Sequence, residues 1–497
     1  MKVDYEKFPQ IPPGCQLNPK ANRPGEYQVF REIRCRNADG TSGVERESIG
    51  VLRGDTFTFS KIWLERQELR DLREENRKLR EALGENRLPE IEKMQNLSGQ
   101  IHSRVQAVAE EAELETRSAS RIVCPLEPIV VGALVSALSG ASSTRDIAQT
   151  IRNNKSGFST YFKDFPDCDI SDDTVYRAFM RVDAQRFDAF VRRILEPMVR
   201  KSPYRIISGD GQAIRATALA GTEEERAADR AYMLMNFYDS TNRVCLAQQL
   251  IEKKTNEITV GPKMLETLDI RDAIITADAM SCQVGFVTAV IAGGADYCLS
   301  LKGNQDRSWS EVSHLFATTH EDQIETYTAE TELAHGRIEC RSVSVIRGAL
   351  LSKTITAKWP LLAEGSIVRV RRFTENKRSG KKTGEDSFYI TSILPLAGAA
   401  EKMHSIIRSH WAVENNLHWV LDVNYNQDRM QAIDKHYITN RSALNKLTLA
   451  MLEHYRFWLW DKKLVDTLPS IRQMQMRCRN FDEALQCIAC SQGLLFV

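Results

Sequence analysis

Three acidic residues far apart in the chain, Asp210, Asp278 and Glu414, are the side chains best placed to do chemistry together. Arg205-Ile206-Ile207-Ser208-Gly209-Asp210-Gly211 reads as a short apolar strand that ends in an acid and a glycine. Ala273-Ile274-Ile275-Thr276-Ala277-Asp278-Ala279 repeats the pattern. In open α/β sheets the carboxyl ends of strands line the functional crevice. The third acid lies in His410-Trp411-Ala412-Val413-Glu414-Asn415-Asn416-Leu417-His418-Trp419. Taken as an α-helix, this stretch puts Trp411, Glu414, Leu417 and His418 on one face, so a carboxylate shares the apolar side. A salt bridge or cap to another helix would explain such an acid, and so would a shared cation. Each aspartate alone reads as a turn or helix cap. Together the three form a hard oxygen set suited to magnesium or manganese, which bind through a few carboxylates plus substrate phosphate.

The elements that must position these acids follow from the hydrophobic pattern. Strands are expected near Ile206, at Tyr232 to Tyr238 and at Val244 to Ile251, then a helix from Val260 to Leu268 and the Asp278 strand. A helix from Gln283 to Ala292 and a strand from Tyr297 to Leu301 complete a first part, residues 201–305, of a mixed α/β domain. Lys302, at the end of that last strand, could hold a phosphate, and Gly303 permits close backbone approach. The interval before Glu414 is too wide for a loop, and alternation at Ile338 to Ile346, Ile367 to Phe373 and Phe388 to Ile393 predicts a β-rich insertion over 306–395. It carries Arg369, Arg371, Arg372, Lys377, Arg378, Lys381 and Lys382, a segregated set of cations that favours DNA backbone binding over a solvated loop. The last part, 396–460, holds the Glu414 helix and a helix through Leu444, Leu447, Leu449 and Leu452 that covers the sheet, and 461–497 reads as a helical tail.

Upstream, residues 1–60 read as a small antiparallel β module with a turn at Asn37-Ala38-Asp39-Gly40. Arg31, Arg34, Arg36, Arg46 and Arg53 could form a cationic face on it, or an ordinary solvated one. Residues 61–121 form a helical linker in which Leu69, Leu72, Asn76, Leu79 and Leu83 fit a heptad seam. An asparagine at one core position favours a parallel pair of helices, so the seam is either a short dimerisation coiled coil or an amphipathic helix folded back on its own chain. Residues 122–200 are helical throughout. Ser171 caps a helix in which Thr174, Tyr176 and Arg177 could face DNA as a helix-turn-helix, though a plain packing bundle fits the pattern as well.

Bulk properties narrow the classes. With 67 basic against 66 acidic residues among 497, the net charge of +1 argues mildly against nucleic acid unless the cations are segregated. No cationic apolar leader opens the chain, and the uncharged run from Pro128 to Thr144 fits a buried helix better than a membrane span. A cytoplasmic location follows as the expectation, and scattered cysteines fit a reducing compartment. Cys487-Ile488-Ala489-Cys490 has zinc-like spacing without a second pair. No Walker-type glycine loop is present, so ATP is not expected.

Several blocks in one order carry a resemblance. They are Ile207 to Gly211, Thr255-Asn256-Glu257-Ile258, Thr276 to Met280 with Gln283, and Ala295-Asp296-Tyr297 to Leu301-Lys302-Gly303-Asn304-Gln305. His335-Gly336-Arg337-Ile338-Glu339 with Arg341, Tyr389-Ile390-Thr391-Ser392, the His410 to Val423 block and Asp428 continue the order. From about Ile122 to Glu453 the chain resembles DDE transposases of bacterial insertion sequences, of the ISAs group that includes the H-repeat-associated proteins. Gln212 stands where that family usually has a lysine, and Leu421 where more distant relatives carry one. The resemblance implies an RNase H-like catalytic fold with Asp210, Asp278 and Glu414 as its acidic triad.

Three acids with no histidine or cysteine nucleophile argue for two ions, Mg2+ or Mn2+, held by Asp210, Asp278 and Glu414. Water would cleave a phosphodiester at a transposon end, and the freed 3′ hydroxyl would attack target DNA. Partners would be double-stranded DNA at the transposon ends and the target, within a homodimer or larger synaptic assembly associated with the nucleoid. Arg177, Asn415, His418 and Trp419 join the expected DNA contacts. A nuclease of the same fold without strand transfer, an inactive or regulatory DNA-binding dimer, and a glycosidase built on paired acids are the alternatives.

Overall fold

The structure is a computed structural model that describes residues 3–20, 23, 25–36, 42–61, 63–64, 67, 87–115, 124–162, 165, 169–219, 231–251, 256–334 and 337–495. Two units, Met1–Glu92 and Lys93–Val497, each have their own core. In the first, alternating sequences form strands β1 (Cys15–Pro19), β2 (Glu26–Arg36), β3 (Ser42–Arg53) and β4 (Thr56–Phe59), an antiparallel sheet in chain order. Val29, Ile49 and Leu52 are buried with Phe8, Ile11 and Trp63. The arginine face expected here is neutralised where it is described. Arg31 pairs with Glu47 at 2.8 Å, Arg46 with Glu32 at 3.3 Å and Arg53 with Glu26 at 2.8 Å. The heptad Leu69, Leu72, Asn76, Leu79 and Leu83 lies outside the described residues.

Helices come next along the chain: α1 (Arg87–Glu111), which begins before Lys93, then α2 (Leu126–Leu138), α3 (Thr144–Asn153), α4 (Lys155–Tyr161), α5 (Asp172–Arg181) and α6 (Ala184–Leu195). Then come β5 (Ile206–Ile214), β6 (Tyr232–Asp239), β7 (Val244–Ile251), α7 (Glu257–Leu265), β8 (Ile274–Ala277), α8 (Val284–Ala292) and β9 (Asp296–Leu301). These elements fall close to where alternation and β-branched runs place them. The chain goes on through α9 (Asp306–Thr318), β10 (Glu325–Thr328), β11 (Glu332–Ala334), β12 (Arg337–Arg347), α10 (Lys353–Lys358), β13 (Ser366–Asn376) and β14 (Lys382–Thr391). It ends with α11 (Ala399–His410), a π-helical turn at Val413–His418, α12 (Trp419–Asn424), α13 (Lys435–Asp461), α14 (Ile471–Arg477) and α15 (Phe481–Ser491).

One mixed sheet joins all the strands of this unit, in the order β10-β12-β13-β14-β9-β8-β5-β6-β7 with β11 on β12. The β-rich interval after β9 therefore extends the central sheet. β14 runs antiparallel to β9 from Phe388 opposite Leu301 to Thr391 opposite Cys298, which satisfies backbone groups that an exposed edge would leave unpaired. Period-two alternation splits the sheet's side chains between two cores. Ile275, Tyr297, Leu299 and Ile367 share a core with residues of α7 to α10, and Ile274, Cys298 and Val368 share one with Met403, Ile406 and Ile407 of α11.

The helices around α13 form the third core of this unit. Asn440 donates to the carbonyls of Phe179 and Val182 at 2.8 and 2.9 Å, locking the end of α5 to α13. Ser171 caps α5 as its sequence suggests, accepting from the Thr174 amide. Two of the residues that could face DNA have neighbours within the fold. Tyr176 packs on Tyr437 with ring centroids 4.6 Å apart, and Arg177 pairs with Asp173 at 2.8 Å. Asp172 and Asp173 also place negative charge at the helix start, where a phosphate would otherwise sit. Because Leu447 is fully buried in that core, Leu447→Ala should lower stability by about 2–5 kcal/mol, seen as an earlier midpoint in urea unfolding.

Candidate active site

Strand register brings the two aspartates together. β5 and β8 run parallel, and their last paired residues are Gly209 and Ala277, so Asp210 and Asp278 come next on neighbouring strands. β5 does not end at Asp210 as expected. It continues to Ile214 because β6 keeps pairing with it after β8 has stopped, with Asp210 opposite Asn236. Asp278 also does what a strand-end aspartate does alone, accepting from the Ser281 amide at 3.1 Å.

The glutamate arrives from α11. His410, the last residue of that helix, places Nδ1 3.0 Å from the Thr276 hydroxyl, which lies 2.9 Å from the Ser208 hydroxyl. The segment is thus tied to β8 and β5 just before the acids. The π-helical turn then adds a residue to the helical cycle and changes which residues share a face. Val413, Leu417, Val420 and Leu421 are buried, while Glu414 is exposed. This corrects the expectation of a regular α-helix with Glu414 on the apolar side. Trp411 and Trp419 flank it at 52% and 60% exposure. Among the described residues, none forms an ion pair with Glu414.

Electrostatics link these acids. Burial pushes the Asp210 carboxyl up to about 7, and the charges of Glu257, Glu414 and Asp278 push it the same way. Glu257 is itself raised, by burial and then by Asp278. It begins α7 behind the Asn256 cap, and it is not among the acids nominated from strand ends. A Cβ on Gly211 would come within 2.0 Å of its Oε1, so the glycine after Asp210 makes room for the fourth carboxylate. That glycine and a capped helix start were the available signals. Among the described residues, no three His, Cys, Asp or Glu side chains are arranged so that together they could hold a metal ion. The negative charges that bear on Asp210 and Glu257 set up a repulsion that a divalent cation would relieve, and the hard carboxylate oxygens match such an ion.

Other expected contacts divide. His418 is turned inward, its Nδ1 3.4 Å from Asp210 Oδ2 and its Nε2 3.1 Å from the Asn236 amide nitrogen, so it is not presented to bases. Burial and the Lys446 charge lower its pKa to about 3, which makes the contact with Asp210 one of a neutral ring rather than an ion pair. Gln212 is buried as well, donating to Asp422 at 3.2 Å and accepting from Gln427 at 2.8 Å. Lys302 and Asn415 are exposed. The turn after Lys302 is bound to the loop after Asp278, Asn304 donating to the Ala279 carbonyl at 2.6 Å and Gln305 to that of Cys282 at 2.9 Å.

The segregated cations of β13 and β14 are largely paired. Their register sets Arg371 against Asp386, Arg372 against Glu385 and Lys382 against Glu375, with contacts of 2.7, 2.6 and 3.5 Å. Arg369 lies over the Phe316 ring, 5.0 Å from its centroid. Lys377, Arg378 and Lys381 stand exposed at the hairpin turn. Cys478, Cys487 and Cys490 are buried in the helical core, and burial raises the thiols of Cys487 and Cys490.

Residues 201–451 match the family described as transposase DDE domain. YncI of Escherichia coli O157:H7 is 28% identical over 282 residues, covering 56% of this chain and 70% of that protein. YhhI of Escherichia coli K12, an H repeat-associated protein, is 27% identical over 309 residues, covering 61% and 78%. Both names carry the word transposase. An uncharacterized protein encoded in the dhlA 3′ region of Xanthobacter autotrophicus is 30% identical over 269 residues, covering 54% and 87%.

The raised Asp210 carboxyl makes stability depend on pH. In metal-free protein its contribution is full below the ordinary value of 3.8 and is lost as the pH climbs to about 7. Asp210→Asn should abolish this loss and make the chain more stable than wild type at pH 8 by on the order of 1–3 kcal/mol. Urea unfolding in EDTA, at pH 4 and pH 8, measures the difference.

Proposed function

Because the chain belongs to the transposase DDE domain family, and a transposase acts on DNA, we propose that it hydrolyses a phosphodiester at each end of a mobile element and transfers the freed 3′ hydroxyl into target DNA. The observation that supports this reading is the register that sets Asp210 and Asp278 side by side just past the last pair of two parallel strands, with the charge of Glu414 felt at Asp210. These three residues would hold two divalent ions, Mg2+ or Mn2+, and Glu257 stands close enough to share in that task. When bound, such ions assist the attacking oxygen and stabilise the leaving one.

The chain's own groups have distinct parts. Asp210 and Asp278 are held by the paired strands and fix the site's floor, while Glu414 approaches from the helical side. Lys302 would neutralise a phosphate beside Asp278. Lys377, Arg378 and Lys381 extend the backbone contact, and Trp419, with Asn415, offers an exposed aromatic face on which an unpaired terminal base can stack. The strand order β7-β6-β5-β8-β9, three antiparallel strands followed by two parallel additions, supports an RNase H-like core. The heptad from Leu69 to Leu83 supports self-association on DNA.

With Mn2+ and DNA carrying the element's own ends, the wild-type protein should nick the 3′ strands and join them to a second duplex. Asp210→Asn, Asp278→Asn and Glu414→Gln should each reduce nicking roughly a hundredfold or more. If all three variants nick and join as the wild type does, the proposal is wrong.

A further inference from the structure

Behind Asp210 runs a chain of buried polar side chains in which each donor fixes the role of the next group. Gln248 donates its amide to the Thr439 carbonyl at 2.7 Å, so its Oε1 faces Lys446 Nζ, 2.6 Å away. Lys446, buried in α13, reaches Asn236 Oδ1 at 2.5 Å. An ammonium only donates, so the Asn236 oxygen must face it. The Asn236 nitrogen is then turned to the Leu234 carbonyl at 3.2 Å and to His418 Nε2 at 3.1 Å. A ring nitrogen that meets an NH2 group must offer its lone pair. The proton of a neutral His418 therefore sits on Nδ1, and Nδ1 lies 3.4 Å from Asp210 Oδ2.

We propose that His418 is a positioning residue for Asp210, with its tautomer set by Lys446 through Asn236, so that Nδ1–H claims Asp210 Oδ2 and leaves Oδ1 for the cation. The 3.4 Å separation is long for a hydrogen bond and should shorten when the carboxylate is anionic. Partners of this kind behind a ligand orient it and tune its affinity for the ion. The inference rests on the reading of Asp210 as a cation ligand, but the tautomer itself can be measured without any metal.

Two measurements on the full chain test it. In metal-free protein with carbon-13 and nitrogen-15 labelled histidine, the His418 resonance, assigned by its loss in His418→Asn, should carry the Cδ2 shift of the Nδ1–H form. In Mn2+ titrations, His418→Gln and Asn236→Leu should lose about tenfold to a hundredfold in affinity. His418→Asn, whose amide can stand where Nδ1–H stood, should keep wild-type affinity. An Nε2–H tautomer would overturn the proposal, and so would His418→Gln binding Mn2+ like the wild type while Asp210→Asn binds it weakly. If the wild type binds no Mn2+ at all, the function proposed above fails instead, and the tautomer alone decides this inference.

Discussion

Repulsion among carboxylates is the constraint around which this molecule is built. Beyond burial, the charges of Glu257, Glu414 and Asp278 raise the cost of ionising Asp210, and that of Asp278 raises it for Glu257; nothing about a single acid would keep it in such company. The parallel ladder that ends at Gly209 and Ala277 gives two of them no freedom to separate. The glycine at 211 lets a third approach a backbone that any side chain would have blocked. Rigid strands supply the force that holds like charges together, and loops could not do so as well.

Support for that end of the sheet comes from both directions. On one side the strands β12 to β14 continue the sheet past β9, so the edge nearest Asp278 is an interior strand with hydrogen bonds on both sides. On the other, α13 inserts Lys446 into the polar layer behind β6, where it meets oxygens of Asn236 and Gln248. A buried lysine without such acceptors would be strongly destabilising. Its presence ties a helix late in the chain to the strand beside Asp210.

Much of this was readable in the residues. Runs such as Ile206-Ile207 and Ile274-Ile275 announce strands, and the triad could be nominated because each aspartate follows such a run. What stayed hidden depends on partners that a linear pattern does not name. The cations Arg371, Arg372 and Lys382 looked segregated until the hairpin register set acids opposite them. His418 was expected to contact DNA, and its inward turn depends on Asn236, which lies on a distant strand. The wide helical turn at Val413–His418 has no compositional signature, so the face on which Glu414 sits could not be read from spacing.

That wide turn has a consequence for how the segment tolerates change. Its helix accommodates one residue more than a regular coil of the same rise, so Glu414 is aimed by a local surplus of chain rather than by side-chain packing. Trimming a single position between Val413 and His418 would let the backbone relax into an ordinary spiral, still amphipathic and still able to pack. The carboxylate would then swing by most of a quarter circle or more, about 100° per residue. Length, more than composition, is what this short stretch must conserve to keep its acid on target.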